Sequence, residues 1–383
     1  MFYRELVIKH LIVSGLILLS STSVFAGPRE QAWTLHNRIA SVPPNPQTLN
    51  MMESFINAGN AEAAASLAME NPEFYGTTLK NWVKKWTNAD QTPRVPFNDY
   101  VATVLGMIRD DVPFNQVLSA DVLYIVSGNT GSTIAPWAID SNDHYEDAEN
   151  NNVNFKEFLL QRQQSSMNGI TDTAGVNTTR AAGEAFYSAG TNRRVTRFTF
   201  MNYLCRDFEA LHDLNLSDYH VRRDVDRAPG GDSRTFRNKC VGCHSGQDAL
   251  GGAFAYFDFV DGKLEHTPGQ VVPKINANNL FSEGWIQQDD SWTNLWKDGQ
   301  NSVLGWRGLQ QGNGARSLGA MLTRSRAFSE CMSTKVYELV CMKDPMSEEE
   351  KGLVMSLATD FETTGNYSMK RLIAKTSVQC MGE

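Results

Sequence analysis

A mainly α fold is predicted by three features of the 383-residue chain. Apolar residues recur at helical spacing in short pieces through the first third, and the last third carries three further helical signals joined by short connections. The composition, 41% hydrophobic and 20% charged, supplies a sizeable core and argues against wholesale disorder. Lys and Arg number 35 against 43 Asp and Glu, a balance of −8. That sign gives no general affinity for nucleic acid or anionic lipid and favours a partner with a basic surface.

Residues 1–26 read as a secretory signal peptide. Arg4 and Lys9 precede the apolar run Leu11–Leu19, and Val24-Phe25-Ala26 forms a cleavage site. Ser14 and the run Ser20-Ser21-Thr22-Ser23 break the apolar stretch below what a bilayer span needs. No later segment is long and apolar enough to span, so the expected product is a periplasmic or secreted protein.

Residues 27–126 form an N-terminal helical region, with helices expected over 30–40, 48–58, 61–69, 74–86 and 98–108. Pro43-Pro44-Asn45-Pro46 separates the first two, Gly59 ends the second and Asn60 caps the third. Trp82 and Trp86 are four apart and share a helix face, as core residues do. Residues 127–154 shift to Ser, Gly, Asn and acidic residues, with Asp140, Asp143, Glu146, Asp147 and Glu149 close together. Their spacing is not that of an EF-hand loop, so a solvated polar loop and domain boundary is expected rather than a calcium site. Residues 155–383 make the second region, with helices expected over 155–164, 181–187 and 194–211.

Residues 240–244 read Cys-Val-Gly-Cys-His. Two thiols three residues apart reach the same edge of a porphyrin, forming thioethers with its vinyl groups, while the adjacent histidine becomes the proximal iron ligand. Given six Cys and seven His, a chance C-x-x-C-H arises in roughly two of a thousand such chains. A thioredoxin-like pair would want an apolar strand before the motif, and a zinc site a second ligand pair. Neither is present in the flanking sequence. The fold class is therefore mainly α, with a cytochrome-c-like haem domain after an N-terminal helical region. Cys240, Cys243 and His244 are expected to bind one covalent haem c. Export agrees with this, because haem c is attached outside the cytoplasm.

The distal iron ligand decides between functions. No methionine lies between His244 and Met321. His266 and Met321 are the two candidates, and another residue or none is the third choice. The polar stretch over 218–234 reads as a solvated loop, or else one of Arg222, Arg223 and Arg227 offers a planar donor fork to haem propionates. Trp285, Trp292, Trp296 and Trp306 either wall a haem pocket or pack as loop aromatics. Of the remaining cysteines, Cys331 and Cys341 lie ten residues apart, about 15 Å along one helix. That exceeds disulfide reach. An up-down-up arrangement brings the ends of the first and third C-terminal helices together, which predicts Cys341–Cys380 and leaves Cys205–Cys331.

The motif at Cys240–His244, followed by Asp248-Ala249-Leu250-Gly251, Ala255-Tyr256-Phe257-Asp258, Leu318-Gly319, Phe328-Ser329-Glu330-Cys331 and Tyr367-Ser368-Met369-Lys370, resembles the C-terminal haem-binding region of planctomycete and myxobacterial cytochrome-c-like proteins of unknown function. The resemblance covers roughly residues 234–380. It departs where Gln247-Asp248-Ala249 stands in place of the family's Met-Asp-Pro. It implies covalent haem and electron transfer and brings no substrate. The expected function is an exported monohaem cytochrome c passing single electrons to a redox partner protein. The alternatives are a haem peroxidase-like enzyme with an open sixth site and a structural or docking subunit of a redox complex.

Overall fold

The computed structural model describes residues 26–382; all but the last residue of the expected signal peptide lies outside them. The described chain is mainly helical, with three two-stranded antiparallel ribbons. No helix among the described residues is long and apolar enough to cross a membrane.

Helices α1 (Pro28–Ala40), α2 (Pro46–Asn57) and α3 (Ala61–Met69) open the chain. Their boundaries follow local chemistry. Pro28 and Pro46 occupy first turns, where no amide donor is required. The Asn45 and Asn60 side chains accept from the Thr48 and Ala63 amides at 2.8 and 3.2 Å, and Gly59 turns at φ 75°. The expected helix over 74–86 is present but changes pitch, from a π-helical turn at Phe74–Leu79 to an α-helical one at Lys80–Lys84. Trp82 and Trp86 meet edge to face, with Trp86 buried. Helix α4 (Asp99–Arg109), capped by Asn98, is buried from Asp99 to Ile108 and forms the centre of the core.

Two expectations fail in the middle of the chain. The acidic stretch is not an open loop, because helix α5 (Asp143–Asn150) forms there. Glu149 accepts from the Phe97 amide at 2.7 Å and pairs with Lys80 and Lys84, while Asp147 accepts from the Ala135 amide at 2.9 Å. These carboxylates fasten the helix to its neighbours. Among the described residues, no group of three acidic, His or Cys side chains is placed to hold a metal ion. Likewise, the expected helix over 155–164 is continuous only over Phe155–Phe158, and Gln164 opens a separate short helix, Gln164–Asn168. Leu159–Arg162 becomes β2, paired with β1 (Leu123–Val126) in the register Leu123 to Arg162. Backbone pairing with a strand about 35 residues upstream overrides the local helical spacing.

Helix α6 (Arg193–Tyr203) ends before Cys205, which adopts φ 52°, so the expected helix to Leu211 is cut short and Phe208–Leu211 forms a separate 3-10 turn. Helix α7 (Val241–Gly251) follows. Beyond it come β3 (Phe257–Val260) and β4 (Lys263–His266), then β5 (Ser291–Thr293) and β6 (Gln311–Asn313).

The C-terminal bundle has four helices rather than three: α8 (Gly314–Leu322), α9 (Arg326–Cys341), α10 (Glu348–Glu362) and α11 (Met369–Cys380). Ser325 breaks the first expected segment by capping α9 through the Phe328 amide. Helix α11 packs against both α9 and α3. The apolar core therefore runs unbroken from Ala32 to Cys380, through both regions the composition separates.

Cys331 and Cys341 lie on one helix, and each is paired elsewhere. Cys205–Cys331 and Cys341–Cys380 sit at disulfide geometry with Cα atoms 5.2 and 5.4 Å apart. A non-reducing peptide map is expected to recover these two links. The double variant C341S/C380S should lose about 2–5 kcal/mol of unfolding free energy, read by urea titration.

Candidate functional site

The site is built on α7. At 3.6 residues per turn, Cys243, His244 and Gln247 fall within an arc of about 100°; Cys240 ends the π-helical turn Phe236–Cys240 that leads into the helix. Gly242, Gly246 and Ala249 lie on the opposite side. That rear face is small for a reason. A Cβ on Gly242 would come 2.7 Å from the His212 ring, and one on Gly246 would come 2.1 Å from the indole of Trp296. Trp296 is fully buried and packs edge-on to Phe200. Close rear packing leaves the Cys243 thiol and the His244 imidazole on the opposite side.

Cys240 and Cys243 are half-buried free thiols, the two described cysteines not in a disulfide. The Cys243 thiol donates to the Phe208 carbonyl at 3.3 Å. Burial, then the nearby Glu209 and Asp207, push it up from its ordinary value. An activated redox thiol is shifted in the opposite direction.

Beside Cys243 lies a cavity of about 520 Å³. Cys243 and Gln247 contribute from α7, Arg193, Arg194, Arg197 and Phe198 from α6, and Phe208 from the following turn. Arg197 pairs with Asp207 at 2.5 Å, and Arg194 is exposed at the edge. Asp207 and Glu209 line the cavity too, and Arg193 and Arg197 are held in ion pairs, so the two phenylalanines offer an apolar wall to a flat ring system and Arg194 is left to meet a carboxylate.

The His244 side chain is 26% exposed. Its Nδ1 makes no hydrogen bond within the chain and lies 3.5 Å from Asp248 Oδ2, one turn on. Asp248 is fully buried. Arg193 donates to it from Nε at 2.6 Å and from Nη2 at 2.9 Å, and the Arg222 amide donates at 3.0 Å. Burial alone would push this carboxyl up, but the Arg193 charge and hydrogen bonds hold it far below the usual carboxylate range. Arg193 also grips Asp224 at 2.6 and 2.8 Å.

Other sequence candidates lie elsewhere. His266, at the end of β4, stacks on Phe257 at 4.5 Å and approaches Thr171 Oγ1 at 3.4 Å. Met321 is buried in the core on α8. Neither lines the cavity beside Cys243. Arg222 donates to the Thr191 carbonyl at 2.8 Å, Arg223 to that of Asn276, and Arg227 to that of Val225 at 2.8 Å. All three tie the loop that leads into α7. Of the four tryptophans, Trp296 backs α7 directly, Trp306 donates to the Trp296 carbonyl at 2.8 Å, Trp292 donates to Ser317 and Trp285 packs on His220.

The sequence reading did not single out Arg193, Arg194 and Arg197 as cavity residues, nor Asp248 as the neighbour of His244. The i, i+4 spacing of His244 and Asp248 was the available signal for the latter.

No protein-family model, curated protein or solved structure matches the chain.

The rear packing of α7 makes a sharp prediction. Ala at a helix interior normally stabilises by about 1 kcal/mol relative to Gly. Gly246→Ala should instead destabilise by about 1–3 kcal/mol through its clash with Trp296, seen as a lower thermal midpoint.

Proposed function

We propose that the chain is an exported monohaem c-type cytochrome that passes single electrons between redox partner proteins. The carrying observation is the C-x-x-C-H order at the start of α7, whose two thiols are half-buried and outside both disulfides. Cys240 and Cys243 would hold the porphyrin through thioethers, and His244 would ligate the iron through Nε2. When bound, haem supplies one reversible electron through its iron.

The residues present fit that group. The His244 Nδ1 lacks a hydrogen-bonding partner, the thiols are outside any disulfide, and the cavity beside Cys243 has two phenylalanine walls with the exposed Arg194 at its edge. Phe198 and Phe208 would exclude water from one face, and Arg194 would neutralise a carboxylate at the cavity mouth. Two disulfide-distance pairs in the same chain accord with an oxidising compartment. The acidic balance of −8 favours a partner with a basic docking face.

A second reading, a haem peroxidase-like enzyme with an open sixth position, is favoured by the places held by His266 and Met321, each engaged away from the cavity. The optical spectrum separates the two: a six-coordinate, strong-field spectrum in both oxidation states supports the electron carrier.

Two outcomes are expected. Expressed with a haem-maturation system, the full chain should give one haem per polypeptide in a pyridine haemochrome assay, and C240A/C243A should give none. Substituting His266→Ala or Met321→Leu should leave the visible spectrum unchanged. A spectral change in either variant would return that residue to the distal position.

A further inference from the structure

We infer that Asp248 is the positioning residue of His244: its carboxylate accepts the ring's Nδ1 proton, holds Nε2 toward the thiol-bearing face and lowers the electron affinity of the site. This rests on the haem reading above and adds what sets the midpoint potential.

The two side chains are one helical turn apart, so α7 itself makes them neighbours. Their separation, 3.5 Å from Nδ1 to Oδ2, closes to a hydrogen bond with a small rotation of the ring. Nδ1 is buried and has no competing acceptor. The carboxylate, by contrast, is clamped. Both oxygens accept from Arg193, at 2.6 and 2.9 Å, and Oδ2 also accepts from the Arg222 amide at 3.0 Å. The acceptor is fixed and the donor is free to meet it.

The charge of Asp248 also reaches the ring. The carboxylate is fully buried, away from solvent screening. Arg193 bridges Asp248 and Asp224, the latter at 2.6 and 2.8 Å, and of the two anions Asp248 is the one beside the ring. Arg222 adds a second buried cation, whose hydrogen bond goes to the Thr191 carbonyl. A metal-ligating histidine that gives its other N–H to a carboxylate is a stronger donor to the metal. A stronger donor favours the oxidised iron and lowers the midpoint.

A purely structural role for Asp248, tying α6 and the loop that holds Arg222 to α7, predicts something different, and Asp224 provides the control. Asp224 shares Arg193, is nearly as buried and carries the same charge, but His244 is not among its partners.

The test is a potentiometric titration of the haem-loaded full chain, followed by visible absorbance, for the native protein, D248N and D224N, with pyridine haemochrome content measured for each. All three are expected to carry one haem per chain. D248N should shift the midpoint upward, and D224N should shift it far less. Equal shifts in the two variants, or none in D248N at full haem content, would overturn the inference and leave the haem reading standing. A native chain without haem would overturn both. Should D248N fail to accumulate, the native protein decides alone. With ¹⁵N-labelled histidine, the reduced form should show a His244 Nδ1–H signal protected from solvent exchange. Exchange as fast as in free imidazole would overturn the inference.

Discussion

The site depends on how tightly α7 is held from behind. Gly242 and Gly246 bring the helix backbone against the His212 ring and the Trp296 indole at distances no side chain would tolerate. With the rear face consumed by packing, the helix has one orientation. Its remaining arc places Cys243 and Gln247 on the cavity beside α6, with His244 next to Cys243 in the sequence and Asp248 one turn beyond. Trp296 is in turn held by Phe200 and by the Trp306 indole, which donates to its carbonyl. The geometry of the thiols thus traces back to a continuous core that includes the C-terminal bundle.

A second constraint is electrostatic. Asp248, Asp224 and Arg193 form a buried network between α7, the loop before it and the start of α6. A buried carboxylate is costly without partners, and this one accepts from three donors. The network fixes the distance between the helix that carries the thiols and the helix that carries the cavity arginines. Stability and site geometry therefore rest on the same residues, so substitutions in the network must be judged on both.

Features governed by local chemistry were legible in the sequence. Asn60 and Gly59 mark their helix boundaries because a cap needs only its own turn. The exclusion of a Cys331–Cys341 link needed only the rise of a helix, and the two observed pairs match the expected ones. What the sequence did not disclose depends on distant partners. Leu159–Arg162 is a strand because Leu123–Val126 supplies its hydrogen bonds. The acidic stretch folds as a helix because Lys80, Lys84 and the Phe97 amide take up Glu149. At the site, the motif itself was plain, whereas the arginines at the cavity come from a helix about fifty residues upstream. Arg222, Arg223 and Arg227 were nearer in sequence, but backbone carbonyls engage them.

The proposed function stands or falls on a porphyrin bound to Cys240 and Cys243. Mass spectrometry of the proteolytic peptide spanning Cys240–His244, from chain matured in a haem-attaching host, tests it most directly. One peptide bearing the mass of a single haem on both sulfurs is expected. A peptide with free thiols, or with Cys240 joined to Cys243, would contradict it.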